Sequence, residues 1–236
     1  MVQPTAYVRR SFAWRKLQAA GAVFEEVAGA AVAQRYTTAT DEDQTARRLG
    51  VAELSPLPRH GFKGLGTVDW LGANGLAVPK EPNWTARQPD GSLALRLAMN
   101  EIFLLGDLKG HGRLGAELTD KWLAAGTPPA SARGFPLPRQ ESHTWMLVSG
   151  EHSATLFAKI CGVDLRPQHF ADGQIAQTSV AKMSALVARQ DQGRTLAYHL
   201  LCDSASAAYM WDCVLDAAAE FGGGPVGLRA VQGLAK

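Results

Sequence analysis

Cysteine is scarce. The chain of 236 residues has three, Cys161, Cys202 and Cys213, widely spaced and odd in number. That excludes a disulfide framework and fits a reducing, cytoplasmic setting. An excess of one charge is also missing. Lys and Arg number 24 against 22 Asp and Glu, and the net +2 is too small to draw a nucleic acid or an anionic membrane by bulk charge. No apolar run approaches the ~20 residues of a membrane span. Arg9, Arg10 and Arg15 open the chain with no apolar stretch between them, so no secretory signal is expected. The six histidines show neither H-x-x-x-H nor H-E-x-x-H spacing, and no two cysteines stand in C-x-x-C, which leaves no zinc signature. No G-x-S-x-G elbow is present for a serine nucleophile.

What is there is ordinary globular material: 46% apolar and 19% charged residues, enough for one large or two small domains without metal or disulfide staples. Residues 11–20 read as a short helix or an ordered arm. Residues 21–33 read as two short strands joined near Gly29. A helix is expected after Thr40, its cap, with Asp41, Glu42 and Asp43 at the positive end, Arg47 and Arg48 in the last turn, and Gly50 as its stop. Further on, residues 51–55 read as a strand, 56–66 as a loop and 68–71 as a short helix. Residues 93–97 and 102–105 read as strands, and Leu114, Leu118 and Trp122 mark a helix face.

Residues 125–139 hold Gly126, Pro128, Pro129, Gly134, Pro136 and Pro138, a density that blocks helix and central strand alike. Two α+β lobes, 1–125 and 141–236, are therefore expected on either side of a linker at 126–140. They could equally form one compact domain. The second part reads as a strand at 144–149, a helix at 153–160 and strands at 175–180, 184–189 and 195–201. A last helix runs from near Ser204 to before Gly222, with Ala207, Trp211, Val214, Ala218 and Phe221 as its buried stripe. Irregular mixing of helices and hairpins predicts an α+β layer fold.

Two motifs invite chemistry. Gly110-His111-Gly112-Arg113-Leu114-Gly115 matches G-x-G-x-x-G, but four residues separate it from the strand before it. No acidic residue lies between Asp120 and Glu141 to hold a ribose, so a surface loop is the better reading. The stretch Arg59-His60-Gly61-Phe62-Lys63-Gly64 sets three basic side chains among glycines. It reads either as a contact for a phosphate, a carboxylate or a partner subunit, or as a solvated loop. Cys202 and Cys213 read as small buried hydrophobes flanking the final helix.

Several segments in order resemble a known family. Residues 21–29, 32–36, Glu42, Ala46-Arg47 and Val51-Ala52-Glu53-Leu54-Ser55 resemble the start of the folate-dependent aminomethyltransferase superfamily. Residues 54–64, 100–105, 143–150, 161–167, 176–179 and 204–212 are similar to one branch, the gamma subunit of heterotetrameric sarcosine oxidase. The resemblance implies an aminomethyltransferase folate-binding-domain fold with mixed and antiparallel sheets packed by helices, lacking the C-terminal barrel. It implies assembly with alpha, beta and delta subunits. FAD, FMN, NAD and tetrahydrofolate would sit on those partners and no cofactor on this chain. The complex would demethylate sarcosine oxidatively to glycine. Alternatives within the resemblance are a free-standing folate-binding or one-carbon transferase, and a subunit of a related N-methyl amino acid dehydrogenase.

Catalytic aminomethyltransferases carry an Asp-Asp pair where this chain has residues 83–92, and here Asp90 stands alone before Gly91 as a turn residue. The related iron–sulfur maintenance proteins have K-G-C-x-x-G-Q-E, of which only Lys159 and Cys161 are matched. No catalytic residue and no metal ligand is therefore assigned. Arg59, His60 and Lys63 stand as anion- or partner-binding candidates, and Tyr209 and Trp211 as interface candidates.

Overall fold

The structure, a computed structural model, describes residues 1–39, 41–125 and 133–235. After one 3-10 turn at Pro4–Ala6 the chain forms β1 (Arg9–Arg10), α1 (Trp14–Ala19), β2 (Ala22–Val27), β3 (Ala30–Tyr36), α2 (Glu42–Leu49) and β4 (Gly50–Glu53). It continues through β5 (Arg59–Leu65), α3 (Thr67–Ala73), β6 (Trp84–Arg87), β7 (Leu93–Ala98), β8 (Glu101–Leu105), α4 (Leu114–Ala124) and β9 (Arg133–Pro136). The last part is β10 (His143–Ser149), α5 (Ser153–Ile160), β11 (Ile175–Val180), β12 (Met183–Arg189), β13 (Ala197–Asp203), α6 (Ala207–Ala219), β14 (Gly224–Pro225) and α7 (Leu228–Leu234). This is the expected α+β mixture, and among the described residues no sheet closes into a barrel.

The chain divides into two units, one of residues 1–56 with 143–236 and one of residues 57–142. The division does not follow the proline-rich stretch. It follows strand pairing: β10 lies antiparallel to β4, with Met146 opposite Glu53 and Ser149 opposite Gly50. Backbone hydrogen bonding thus joins the first 56 residues to the last part, and the second unit is an insertion between them.

The first unit holds a six-stranded sheet in the order β11-β12-β13-β10-β4-β14 and a three-stranded sheet β1-β3-β2. Its core includes Met146, Val148, Phe157, Tyr198, Leu200, Met210, Trp211 and Val214. Helix α2 is capped by Asp41, whose Oδ1 accepts from the Gln44 N–H at 2.9 Å, while Thr40 lies outside the described residues. Glu42 then ties three elements together. Its carboxylate accepts from the Tyr36 N–H at the end of β3 (2.6 Å) and from the Gly227 N–H at the start of α7 (2.5 Å). Gly227 itself lies against β3: a Cβ there would stand 2.1 Å from the Gln34 carbonyl carbon. Sequence reasoning left residues after Gly224 without structure, and α7 fills that gap.

The second unit is a five-stranded sheet, β6-β7-β8-β5-β9, with α3 and α4 packed on one face. The core there includes Phe62, Leu71, Ile102, Leu104, Leu118 and Trp122. The basic stretch read as a loop is therefore corrected to a central strand, β5, paired with β8 and β9. Pro136 was expected to exclude strand, but it sits at the end of β9, which is the sheet edge, where a missing N–H is tolerated. Strand β9 also falls inside the expected linker, of which residues 126–132 lie outside the described residues.

Candidate functional site

The three basic candidates do not form one patch. Alternation along β5 sends Arg59 and Lys63 to one face of the sheet and His60 to the other. His60 packs under α4, with its Nδ1 3.3 Å from the Thr119 hydroxyl. Gly115 is required there, since a Cβ would stand 2.4 Å from the His60 ring. Arg59 is buried and its guanidinium donates to the Gln140 carbonyl. Lys63 is exposed, but its ammonium lies 2.8 Å from the carboxylate of Glu101, which Arg139 also engages. Around Lys63 the surface is apolar: Leu65, Met99 and Phe135 are 58%, 64% and 49% exposed. Phe135 is opposite Lys63 in the ladder, and Met99 lines a small pocket with Lys63, Gly64 and Glu101.

The glycine-rich stretch is held by carboxylates. Asp107 accepts from the N–H groups of Gly112 (2.7 Å) and Lys109 (3.1 Å). Asp90 accepts from the Leu114 N–H at the start of α4 (3.0 Å), from the Ser92 N–H (3.0 Å) and from the Ser92 hydroxyl (3.1 Å). Burial acts to raise the Asp90 pKa, but the hydrogen bonds from Leu114, Ser92 and Arg113 outweigh it and hold the carboxyl below its ordinary value. The N–H groups that would cradle a pyrophosphate thus face two anions of the chain itself, which excludes a dinucleotide here. Asp90, the lone acid of the 83–92 region, is a turn residue and helix cap with both oxygens engaged.

A second acid, Glu53, is buried at the end of β4. Its Oε1 accepts from the Ser55 hydroxyl, from the Ser55 N–H (3.3 Å) and from the Thr144 hydroxyl (3.4 Å). Ser55 Oγ in turn accepts from the Trp145 N–H at 2.8 Å. Beyond it, the Trp145 indole N–H donates to His199 Nδ1 at 3.0 Å, which leaves the ring proton of neutral His199 on Nε2. Sequence reasoning placed this strand but gave Glu53 no role beyond its part in a resemblance. The available signal was a charge in an otherwise apolar run.

The first unit carries a cleft of about 710 Å³, within the size range of small-molecule sites. It lies between the end of α5, the β11–β12 turn and α6, and is lined among others by Lys159, Cys161, Lys182, Tyr209, Cys213 and Asp216. Tyr209, Cys213 and Asp216 recur at helical spacing beside the buried stripe of α6. The Tyr209 hydroxyl donates to the Ala181 carbonyl at 3.0 Å, and hydrogen bonding with the Cys213 side chain raises its pKa. The Lys159 ammonium is 2.6 Å from Glu220 and lies 5.6 Å from the centre of the Phe221 ring. Cys213 was expected to be buried; it is half-buried and lines this cleft, whereas Cys202 is buried in β13. The two interface candidates part company. Tyr209 is 47% exposed at the cleft, and Trp211 is 1% exposed in the core, so it has no surface to offer a partner. Among the described residues no three metal-ligating side chains gather, and no helix is long and apolar enough to cross a membrane.

With this geometry in hand, comparison with known proteins gives the following. The GCVT N-terminal domain family matches residues 119–235. No curated protein matches the sequence. Of the solved structures, 27 chains match. One belongs to the heterotetrameric sarcosine oxidase from Corynebacterium sp. U-96 in complex with pyrrole 2-carboxylate: TM-score 0.62, 20% identity, covering 78% of this chain and 93% of that one. Another is the glycine cleavage system aminomethyltransferase T from Bartonella henselae: TM-score 0.72, 15% identity, covering 96% of this chain and 62% of that one. The present chain therefore spans less than two thirds of that protein's length. At such identities the likeness is one of fold, and the fold is aminomethyltransferase-like.

Proposed function

We propose that this protein is a non-catalytic subunit of a flavin-dependent sarcosine oxidase-type complex. The observation that carries the reading is the state of Asp90. One-carbon transfer needs a carboxylate free to hold the folate or take a proton, and this one is engaged as a turn and helix cap. The likeness to a sarcosine oxidase chain supports the reading by its extent. If 78% of 236 residues is 93% of the other chain, that chain has about 200 residues, so both are small chains sharing most of their length. FAD, FMN, NAD and tetrahydrofolate belong to partner subunits in this reading, which assigns them no residue of this chain.

The role left to the chain is packing against flavoprotein partners, and the exposed apolar surface of Leu65, Met99 and Phe135 around Lys63 is the face assigned to it, with Tyr209 as a further contact. Such a contact should bury more than about 1,000 Å². The test is co-purification: the tagged protein, expressed in its native host, should bring down chains with flavin absorbance. Recovery of the tagged chain alone would end the idea.

A second reading, a free-standing folate-binding or one-carbon transfer protein, is favoured by the 96% coverage by aminomethyltransferase T. Against it, Lys63 and Arg59 are engaged with Glu101 and Gln140 rather than turned together toward a glutamate tail. Calorimetry with tetrahydrofolate at millimolar concentration separates the two; the first reading expects no heat of binding.

A further inference from the structure

Two of the three thiols line the same cleft of the first unit. Cys161 ends α5, and its backbone makes an isolated antiparallel bridge to Val180 at the end of β11. The next residue, Ala181, binds both partners of the cleft. Its N–H donates to the Ile160 carbonyl, beside Cys161, at 2.8 Å, and its carbonyl accepts from Tyr209, one turn before Cys213. Lys159 repeats the link from the other side, with its ammonium 3.5 Å from the Ala217 carbonyl, one turn after Cys213. The end of α5 is thus fastened to α6 on both flanks of Cys213. Around Gly162 a Cβ would meet nothing within 4 Å, so the residue after Cys161 faces open space, and it lines the same cleft as Cys213.

We propose that Cys161 and Cys213 are a redox pair that a hydroperoxide converts to an intramolecular disulfide. One thiolate attacks the outer oxygen of the hydroperoxide and the O–O bond breaks: the outer hydroxyl passes to sulfur, giving a sulfenic acid, and the inner oxygen leaves and takes up a proton as an alcohol or, from hydrogen peroxide, as water. The second thiolate attacks the sulfenic sulfur and expels hydroxide, which takes up a proton as water. Two thiols and one hydroperoxide therefore give one disulfide, one alcohol and one water. The oxidised cleft joins the end of α5 covalently to α6. Cys202, buried in β13, takes no part. The inference stands on the first unit alone and is independent of the proposed function.

The experiment exposes the reduced full-length protein to an equimolar amount of hydrogen peroxide, blocks remaining thiols with iodoacetamide in denaturant, and maps it by mass spectrometry without reduction. Digestion with trypsin and an endoproteinase that cleaves before aspartate separates Cys202 from Cys213 at Asp203 and Asp212. The expected result is a linked Cys161–Cys213 peptide, two of the three thiols lost and Cys202 alkylated, with the same link in Cys202→Ser. Three alkylated thiols, separately oxidised cysteines, or a link between two chains would each overturn the proposal. The answer is read in the native sequence, so it does not depend on any cysteine variant folding.

Discussion

At the scale of single residues, what decides chemistry here is which groups are already engaged. Burial first, and the Asp203 charge second, push the Cys202 thiol up to about 12, so near pH 8 it is neither nucleophile nor metal ligand. Intact-mass measurement after iodoacetamide at pH 8 should therefore show two adducts on the native protein and a third only in denaturant. Asp90 gives a pH-dependent case. Its carboxyl is held below the ordinary range in the folded protein, so its contribution is complete above the unfolded value near pH 4 and is lost as pH falls through the folded value. Asp90→Ala should lower stability by about 1 kcal/mol at pH 7, as loss of a cap does. The gap to the natural protein should close below about pH 4, read from urea unfolding between pH 3 and 7. The turn at Asp90 was legible because Asp-Gly has a local mechanism. The buried position of Glu53 was not, because a carboxylate in a strand reads as solvent-facing until its neighbours on β10 are known.

At the scale of elements, hydrophobic spacing located α4 and α6, and local turn chemistry located the β2–β3 hairpin. The failures have one cause each. Strand β5 holds three basic residues and two glycines, a loop-like composition, yet pairing on both sides makes it central; tertiary pairing overrides local propensity. Helix α7 is short and is held by contacts remote in sequence, Glu42 among them. Its start tolerates no side chain, because Gly227 abuts the β3 backbone. Gly227→Ala should therefore shift either α7 or β3 and lower stability by more than about 2 kcal/mol, seen as an earlier thermal unfolding midpoint with unchanged cysteine reactivity at α6. Trp211 was placed correctly in the buried stripe of α6, and naming it also as a partner contact failed for that very reason.

At the scale of the whole molecule, the proline-rich stretch was the visible boundary and strand pairing is the actual one. No local signal marks it, since the pairing of β4 with β10 joins residues about ninety apart in sequence. The exposed apolar surface around Lys63 belongs to the inserted unit. Leu65→Asp, at a 58% exposed position, should change thermal stability by no more than about 0.5 kcal/mol. The same change should deplete flavoprotein from the co-purified complex at least tenfold. Retention of the flavoprotein would assign the contact elsewhere, and loss of stability would show the surface to be internal packing.

The insertion also orders events in time. Residues 1–56 emerge from the ribosome with β4 lacking its neighbour, and β10 follows only after the intervening residues 57–142. At about 5–20 residues per second, that delay is roughly 4–17 s. During it the nascent β4 presents an open backbone rim while the later-born inserted unit already has all its own strands. The part translated first is thus the part completed last, and a stalled ribosome or a truncation before His143 would release a chain whose finished half is the insert and whose unfinished half is the scaffold around it.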